Sequence, residues 1–260
     1  MGTDAHWEQW GANDPYFGVL SDERYRAGSI TEDARADFFA SGEGHVERII
    51  HDARQIVGDD FSPRSALDFG CGVGRLVIPL AQRMSKVVGV DVSPSMLALA
   101  ERNCAECGLD NVVFALSDDV LSRVPGSFDL VHSTLVLQHI SWRRGRMILQ
   151  VLADHVAPGG CLAVQFLVGH ESPPFVRALV RLRYAFPPAN WLRNILRRRP
   201  LLEPPMQLHI YDADSVKRDL QGFVCTTSEV PTPGYRSIIL YAHRQAGAVV
   251  LSGRSKSQPA

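Results

Sequence analysis

From Ser65 to Val168 the chain alternates short apolar runs of strand length with longer stretches in which apolar residues return every three or four positions. The short runs predict strands at Ala66 to Phe69, Lys86 to Asp91, Asn111 to Leu116, Phe128 to Ser133 and Gly160 to Val168. The longer stretches predict helices at Arg75 to Met84, Pro94 to Glu106 and Trp142 to His155. Such alternation builds a parallel sheet with helices on both faces, because parallel neighbours need a long crossover between them. Pro79 falls inside the first of these helices, which is therefore expected to bend or to start late. The second has a well-marked start, with Ser93 as cap and Pro94 at the first helical position.

Before and after this stretch the rhythm differs. Residues 1–61 predict a helical N-terminal arm or cap, with Trp7, Trp10, Tyr16 and Phe17 grouped around Asp14-Pro15 and helices at Thr31 to Ala40 and Glu43 to Val57. The arm either packs on the outside of the domain or folds over a ligand and closes its site. Residues 62–171 are the expected ligand-binding core. Residues 172–206 read as a helical lid insertion: from Ser172 to Pro200 there are seven arginines, no lysine and no acid. Three readings stay open for that lid, namely a solvated helical face, a set of guanidinium forks for an anionic or heavily hydroxylated acceptor, and a basic amphipathic surface for anionic lipid. Residues 207–245 predict a helix at Tyr211 to Gln221 and strands at Gly222 to Glu229 and Tyr235 to His243 that pair antiparallel at the sheet edge. Residues 246–260 are expected to be disordered.

With 260 residues, 45% of them hydrophobic, the chain is long enough for one large α/β domain. A formal charge of -1 argues against a chain-wide nucleic-acid footprint. Five cysteines without framework spacing point to a reducing compartment. Neither a secretory leader nor an apolar run of about 18 residues is visible, so the expectation is a soluble, cytoplasmic protein. The Cys104 and Cys107 pair lacks a second pair and reads as two thiols on one helix rather than a zinc site.

The chemistry begins at Ser65 to Arg75, Ser-Ala-Leu-Asp-Phe-Gly-Cys-Gly-Val-Gly-Arg. Glycines 70, 72 and 74 allow a turn that a β-carbon forbids and let a ligand approach bare backbone at a helix start. A phosphate loop would end in Gly-Lys-Ser or Gly-Lys-Thr, and this turn ends in Gly74-Arg75. The dinucleotide fingerprint spaces its glycines G-x-G-x-x-G, not G-x-G-x-G. Asp91 ends the second strand, where a carboxylate accepts from two ribose hydroxyls, and Ser117-Asp118-Asp119 ends the third, where an adenine amino group would lie. Three strand ends thereby converge on an adenosine.

With the LDFGCGVGR turn, VVGVDVSPSML, SDD at 117 to 119, FDLVHSTLVLQHI and APGG at 157 to 160, the chain resembles the class I S-adenosylmethionine-dependent methyltransferases over about residues 64 to 168. That resemblance implies a Rossmann-like α/β fold and S-adenosylmethionine as cofactor. It implies Gly70, Gly72 and Gly74 beside the methionine part, Asp91 on the ribose, Val92 and Met96 about the adenine, and Asp68, Cys71 and Arg75 as further cofactor-binding residues. Ser117, Asp118, Asp119 and Val120 would complete the adenine end, and Ser133 would lie beside the sulfonium. The segment HWEQWGANDPYFGVLSDE is also similar, more loosely, to methyltransferases encoded among bacterial glycan and natural-product genes.

Methyl transfer needs alignment and exclusion of water, and a hydroxyl acceptor also needs a base. His139, after the fourth strand, is the first candidate, with capping or packing as its structural alternative. His170 and Glu171, after the fifth strand, are further catalytic candidates. His132, inside the fourth strand, reads as a satisfied core residue. Trp10, Tyr16, Gln138, His139, His170 and Arg177 are the expected acceptor contacts. No acid cluster follows the fourth strand, so no metal is expected. The expected function is O-methylation of a sugar or related polar metabolite, with N- or C-methylation of a small natural product, or a non-catalytic regulatory module, as alternatives. The expected partners are a small molecule and no nucleic acid, in a monomer or homodimer.

Overall fold

The computed structural model describes residues 3–245; the expected disordered tail lies outside them. The chain opens with α1 (Thr3–Asn13) and α2 (Pro15–Val19), joined at Asp14. The Asp14 carboxylate accepts from the Ala27 amide at 2.8 Å and from Arg26 at 2.7 Å, which holds the two helices against the loop that follows. Next comes α3 (Glu32–Val57), whose start is capped by Thr31 accepting from the Ala34 amide. This is one helix where the sequence suggests two. Gly42 does not break it; a β-carbon there would lie 2.2 Å from the Arg75 carbonyl, so the glycine marks a close crossing rather than a helix end.

The alternating part follows as β1 (Ser65–Phe69), α4 (Val77–Ala81), β2 (Lys86–Asp91), α5 (Pro94–Glu106), β3 (Val112–Leu116), β4 (Phe128–Ser133), α6 (Trp142–Asp154) and β5 (Val156–His170). α4 starts late, as Pro79 requires: the proline sits in its first turn, where an amide hydrogen has no partner to lose. β5 begins earlier than expected. Phe128 pairs with Val156 and Leu130 with Cys161, so the residues around Pro158-Gly159 bulge out of the ladder and the strand continues. The chain ends in α7 (Pro174–Ala185), α8 (Pro187–Leu196), α9 (Ala213–Asp219), β6 (Phe223–Thr232) and β7 (Tyr235–Arg244).

One seven-stranded sheet results, in the order β3-β2-β1-β4-β5-β7-β6. β1 to β5 run parallel, while β7 pairs antiparallel with β5 and β6 with β7. Alternate residues feed two cores. Leu67, Phe69 and Val131 point to the face covered by Ile148, Leu149 and Leu152 of α6. Ala66, Val87 and Leu130 point to the other, covered by Ile49 of α3 and Leu80 of α4. A third, smaller cluster seats the N-terminal arm: Trp10, Phe17 and Phe38 pack on Val73 and Met96.

Candidate active site

Between β1 and β4 the strand order reverses, and the connections leave toward opposite faces, which opens a crevice at the carboxyl ends of the strands. The glycine turn forms its floor. Gly70 and Gly72 have φ of +77° and +53°, and β-carbons on them would come within 2.2 Å of Val136 and 2.6 Å of Val19. Gly74, with φ of +86°, instead lets the turn sit on Ala100 of α5, 3.5 Å from where its β-carbon would be. The crevice encloses about 890 Å3 counted out to its mouth. Asp68, Gly70, Cys71, Gly72 and Arg75 line one end; Asp91, Val92, Met96, Ser117 and Asp119 line the other. Val136 and His139 close it from the β4 side, and Thr3, Asp4, Trp7, Gly18 and Val19 of the arm close it from above.

Asp91 is anchored by backbone: one oxygen accepts from the Ser93 amide and the other from the Gly72 amide, each at 2.9 Å. Burial pushes its carboxyl up to about 6, with the amide donors pulling the other way. Asp68 ends a buried chain. His132 Nδ1 donates to it at 2.9 Å, and His132 Nε2 lies 3.1 Å from Nε2 of His45 on α3. Since a carboxylate only accepts, His132 carries a proton on Nδ1 toward Asp68. Burial, reinforced by His132 and Arg75, drives the His45 imidazole down to about 2, so it stays neutral. Arg75 is buried, its Nη1 reaches Ser41 Oγ at 3.3 Å, and its Nε has no partner among the described residues.

The arm is latched to the crevice by charge. Arg144 of α6 donates to Asp119 at 2.8 Å and to Asp4 of α1 at 2.7 Å. Glu8 accepts from the hydroxyls of Ser93 and Ser95, each at 2.6 Å. These contacts seat the arm against the mouth of the crevice as well as on the body. His139 sits where the crevice meets a second cavity, whose apolar wall of Leu20, Leu135 and Leu208 is rimmed by polar Ser21, Asp22, Arg24 and Gln138. Its Nδ1 lies 2.8 Å from the Gln207 carbonyl and the Trp7 ring packs edge-on at 4.8 Å. Because a carbonyl only accepts, Nδ1 carries the proton and Nε2 keeps a lone pair. Burial, with some help from His209, pulls this imidazole down to about 4.

Other expected residues lie elsewhere. Asp118 accepts from the Ser122 amide at 2.9 Å, Val120 is exposed, and Ser133 donates to the Phe69 carbonyl. None of these three, nor Gly74, is among the crevice lining. Tyr16 packs on Phe38, and Trp10 lies under the lid. Arg177 is half-buried on α7, outside both the crevice and the second cavity. β5 outruns its parallel neighbour, so His170 is carried on to pair with Tyr235, and the Glu171 amide donates to the Gly234 carbonyl. His170 and Glu171 therefore stand at the β6–β7 hairpin, not beside His139. His45, Asp4, Glu8, Val19 and Arg144 were not anticipated. Glycines 11 and 18 are the signal that was available for the arm: a β-carbon at Gly11 would meet Ser93 Oγ at 2.3 Å, so each marks a close approach within a helix.

A family model described as a methyltransferase domain matches residues 66–160. The chain is 37% identical over 107 residues to a trans-aconitate 2-methyltransferase of Deinococcus radiodurans, a match covering 40% of this chain and 38% of that one. It is 37% identical over 78 residues to a ubiquinone biosynthesis O-methyltransferase of Methylococcus capsulatus, over 30% of this chain and 33% of the relative. The chain thus spans little more than a third of the curated relatives it matches. In fold it is similar to the crystal structure of magnesium protoporphyrin IX methyltransferase from Synechocystis with bound S-adenosylmethionine: TM-score 0.61 and 20% identity over 94% of this chain and 98% of that one. The matched segment coincides with the glycine turn, Asp91 and the strands that form the crevice, so residues 66–160 carry the match to a methyltransferase domain and the fold around them is that of a methyltransferase.

Proposed function

We propose that this protein transfers a methyl group from S-adenosylmethionine to an oxygen of a small acceptor, with neutral His139 taking the acceptor's proton. The crevice residues fit the cofactor. Asp91 presents a carboxylate braced by two amides for ribose hydroxyls, and Met96 and Val92 offer apolar walls to a base. Arg75, buried with an unpartnered Nε, supplies the cation that a methionine carboxylate would meet. The cofactor, when bound, supplies an activated methyl on a sulfonium. This chain's part is to align the acceptor, shield the crevice under Trp7 and Val19, and accept one proton.

The observation that carries the reading is the position of His139 between the two cavities, with its Nδ1 hydrogen held by the Gln207 carbonyl and its Nε2 lone pair met only by a long 3.4 Å contact from the Gln138 side-chain amide, which an acceptor hydroxyl can replace. Beside it, the buried Oε1 of Gln138 has no partner among the described residues and suits an acceptor hydroxyl. A sugar hydroxyl remains one acceptor within this reading. The mainly apolar wall of the second cavity favours an acceptor with an apolar body and one reactive oxygen.

Calorimetry and product detection test the assignment together. Asp91→Ala is expected to weaken S-adenosylmethionine binding at least about thirtyfold, as loss of charge-assisted hydrogen bonds implies. His139→Ala is expected to bind the cofactor normally and to lose on the order of 100-fold or more in turnover across a panel of hydroxyl and carboxyl acceptors. Full turnover in that variant would remove His139 as base, and turnover on amines alone would move the reading to N-methylation.

A further inference from the structure

We propose that the outward face of α7 and α8 docks on an anionic lipid surface. The two helices turn their apolar stripes away from the body. On α7, Phe175, Leu179 and Leu182 follow one another at helical spacing and are 74%, 60% and 50% exposed, with exposed Phe186 at the helix end. On α8, Trp191, Leu192, Ile195 and Leu196 do the same, at 42% to 76% exposure. The polar side chains face inward. Asn194 is buried, and its Nδ2 donates to the carbonyls of Leu201 at 3.1 Å and Glu203 at 3.0 Å; Asn190 donates to Glu203 as well. The inward face is thus satisfied, and among the described residues the apolar face has no partner. Of the fifteen large hydrophobic residues exposed among the described residues, ten fall between Phe175 and Leu202, so this is a patch rather than scatter.

Charge selects the occupant. The segment from Ser172 to Pro200 carries seven arginines and no acid; Arg199 is paired with Glu23 and Glu203, and it is Arg197 and Arg198 that are exposed beside the α8 stripe. A second copy seated by two-fold symmetry would bring this arginine-rich patch against itself, whereas an anionic bilayer complements it. Among the described residues no helix is long and apolar enough to cross a membrane, so the pair would lie in the interface with its leucines and aromatics turned into the acyl boundary. Met206 lines both the cavity beneath this pair and the acceptor cavity beside His139, which sets a docked lid next to the acceptor site. The inference stands independently of the methyl-transfer reading.

Flotation of the full chain with extruded vesicles tests it, using phosphatidylcholine alone and phosphatidylcholine with about one-third phosphatidylglycerol. The protein is expected to float with the anionic vesicles and not with the neutral ones. Leu192→Ser/Ile195→Ser should lower the partition at least about tenfold. Arg197→Gln/Arg198→Gln should lower it about fivefold per charge and blunt its salt sensitivity. Unchanged S-adenosylmethionine binding and melting temperature in both variants verify that they are folded. Absence from both vesicle fractions, or adhesion that neither variant reduces, would overturn the proposal. So would a concentration-dependent dimer in sedimentation equilibrium that Ile195→Ser dissociates, since that result assigns the face to a second copy.

Discussion

Helices α6 and α8 are both strongly amphipathic, yet α6 presses its apolar side onto the sheet while α8 presses its polar side onto the body. In α6, Gly145, Ile148, Leu149 and Leu152 are buried at helical spacing, and Arg144 and Arg146 reach outward to Asp119 and Asp219. In α8, Asn190 and Asn194 are buried and Leu192, Ile195 and Leu196 are in solvent. The hydrophobic pattern of a helix therefore reports which side is apolar, and what that side meets has to come from tertiary structure. The comparison also separates two jobs. The α6 half of the molecule holds the crevice, and the α8 half has a surface with no partner among the described residues.

The largest expected effect comes from breaking the α6 side. Ile148 is 1% exposed in the core shared with Leu67 and Phe166. Truncation to Ala removes buried methylenes and leaves a cavity, so Ile148→Ala should cost about 2–5 kcal/mol in urea unfolding. A cost below about 1 kcal/mol would mean that the α6 interface repacks freely and that the contrast with α8 is one of degree.

Next in size is a pH effect from the histidine at the crevice. His139 is held near 4 in the folded protein against 6.5 when unfolded, so the unfolded chain binds more protons between those values. Its contribution is fully present above pH 6.5 and is lost as pH falls toward 4, about 3 kcal/mol in all. Buried His45 acts in the same direction. Asp91, raised to about 6, acts in the opposite one, because its folded form holds a proton more tightly. His139→Asn isolates the first contribution. Its stability, relative to the parent, should improve as pH drops from 7 to 4.5, and a pH-independent difference would mean that His139 titrates normally.

The parallel half of the fold was legible because its signals are local. Ser93 and Pro94 start α5 where their capping chemistry says, and β2 and β4 end at Asp91 and Ser133 as the apolar runs do. The glycine turn was equally plain. Less legible were contacts made by residues far apart in sequence. Nothing near His45 announces that it meets His132, 87 positions away, and nothing near Asp4 announces Arg144. His170 was placed at the cofactor edge because β5 was read as ending with its neighbours, whereas pairing with β7 carries it further. The sequence suggests two helices, at Thr31 to Ala40 and Glu43 to Val57, where α3 runs through Gly42 as one helix and the glycine serves a crossing.

That crossing gives a prediction of smaller size whose sign is the point. At an ordinary exposed helix position Gly→Ala stabilises by up to about 1 kcal/mol. Gly42 packs on the Arg75 backbone, where a β-carbon would come to 2.2 Å from the carbonyl oxygen. Gly42→Ala should therefore destabilise by about 1–3 kcal/mol and disturb cofactor binding through Arg75. A stabilised protein would show that α3 can shift away from the turn.

The smallest effect is expected on the α8 side and is the direct counterpart of the first. Ile195 is 60% exposed, so its truncation uncovers little buried surface. Ile195→Ser should change urea stability by no more than about 0.5 kcal/mol, the range of a surface substitution, while truncation at buried Ile148 costs several times as much. If Ile195→Ser destabilised by 2 kcal/mol or more, as about the loss of a buried side chain would, the α8 stripe would already be buried in solution. The inverted helix would then be an interface between copies, with its polar side still on the body. A null result in the isolated protein, together with a melting temperature that rises on adding anionic vesicles to the parent but not to Ile195→Ser, would mean that the missing partner of this face is the lipid surface itself.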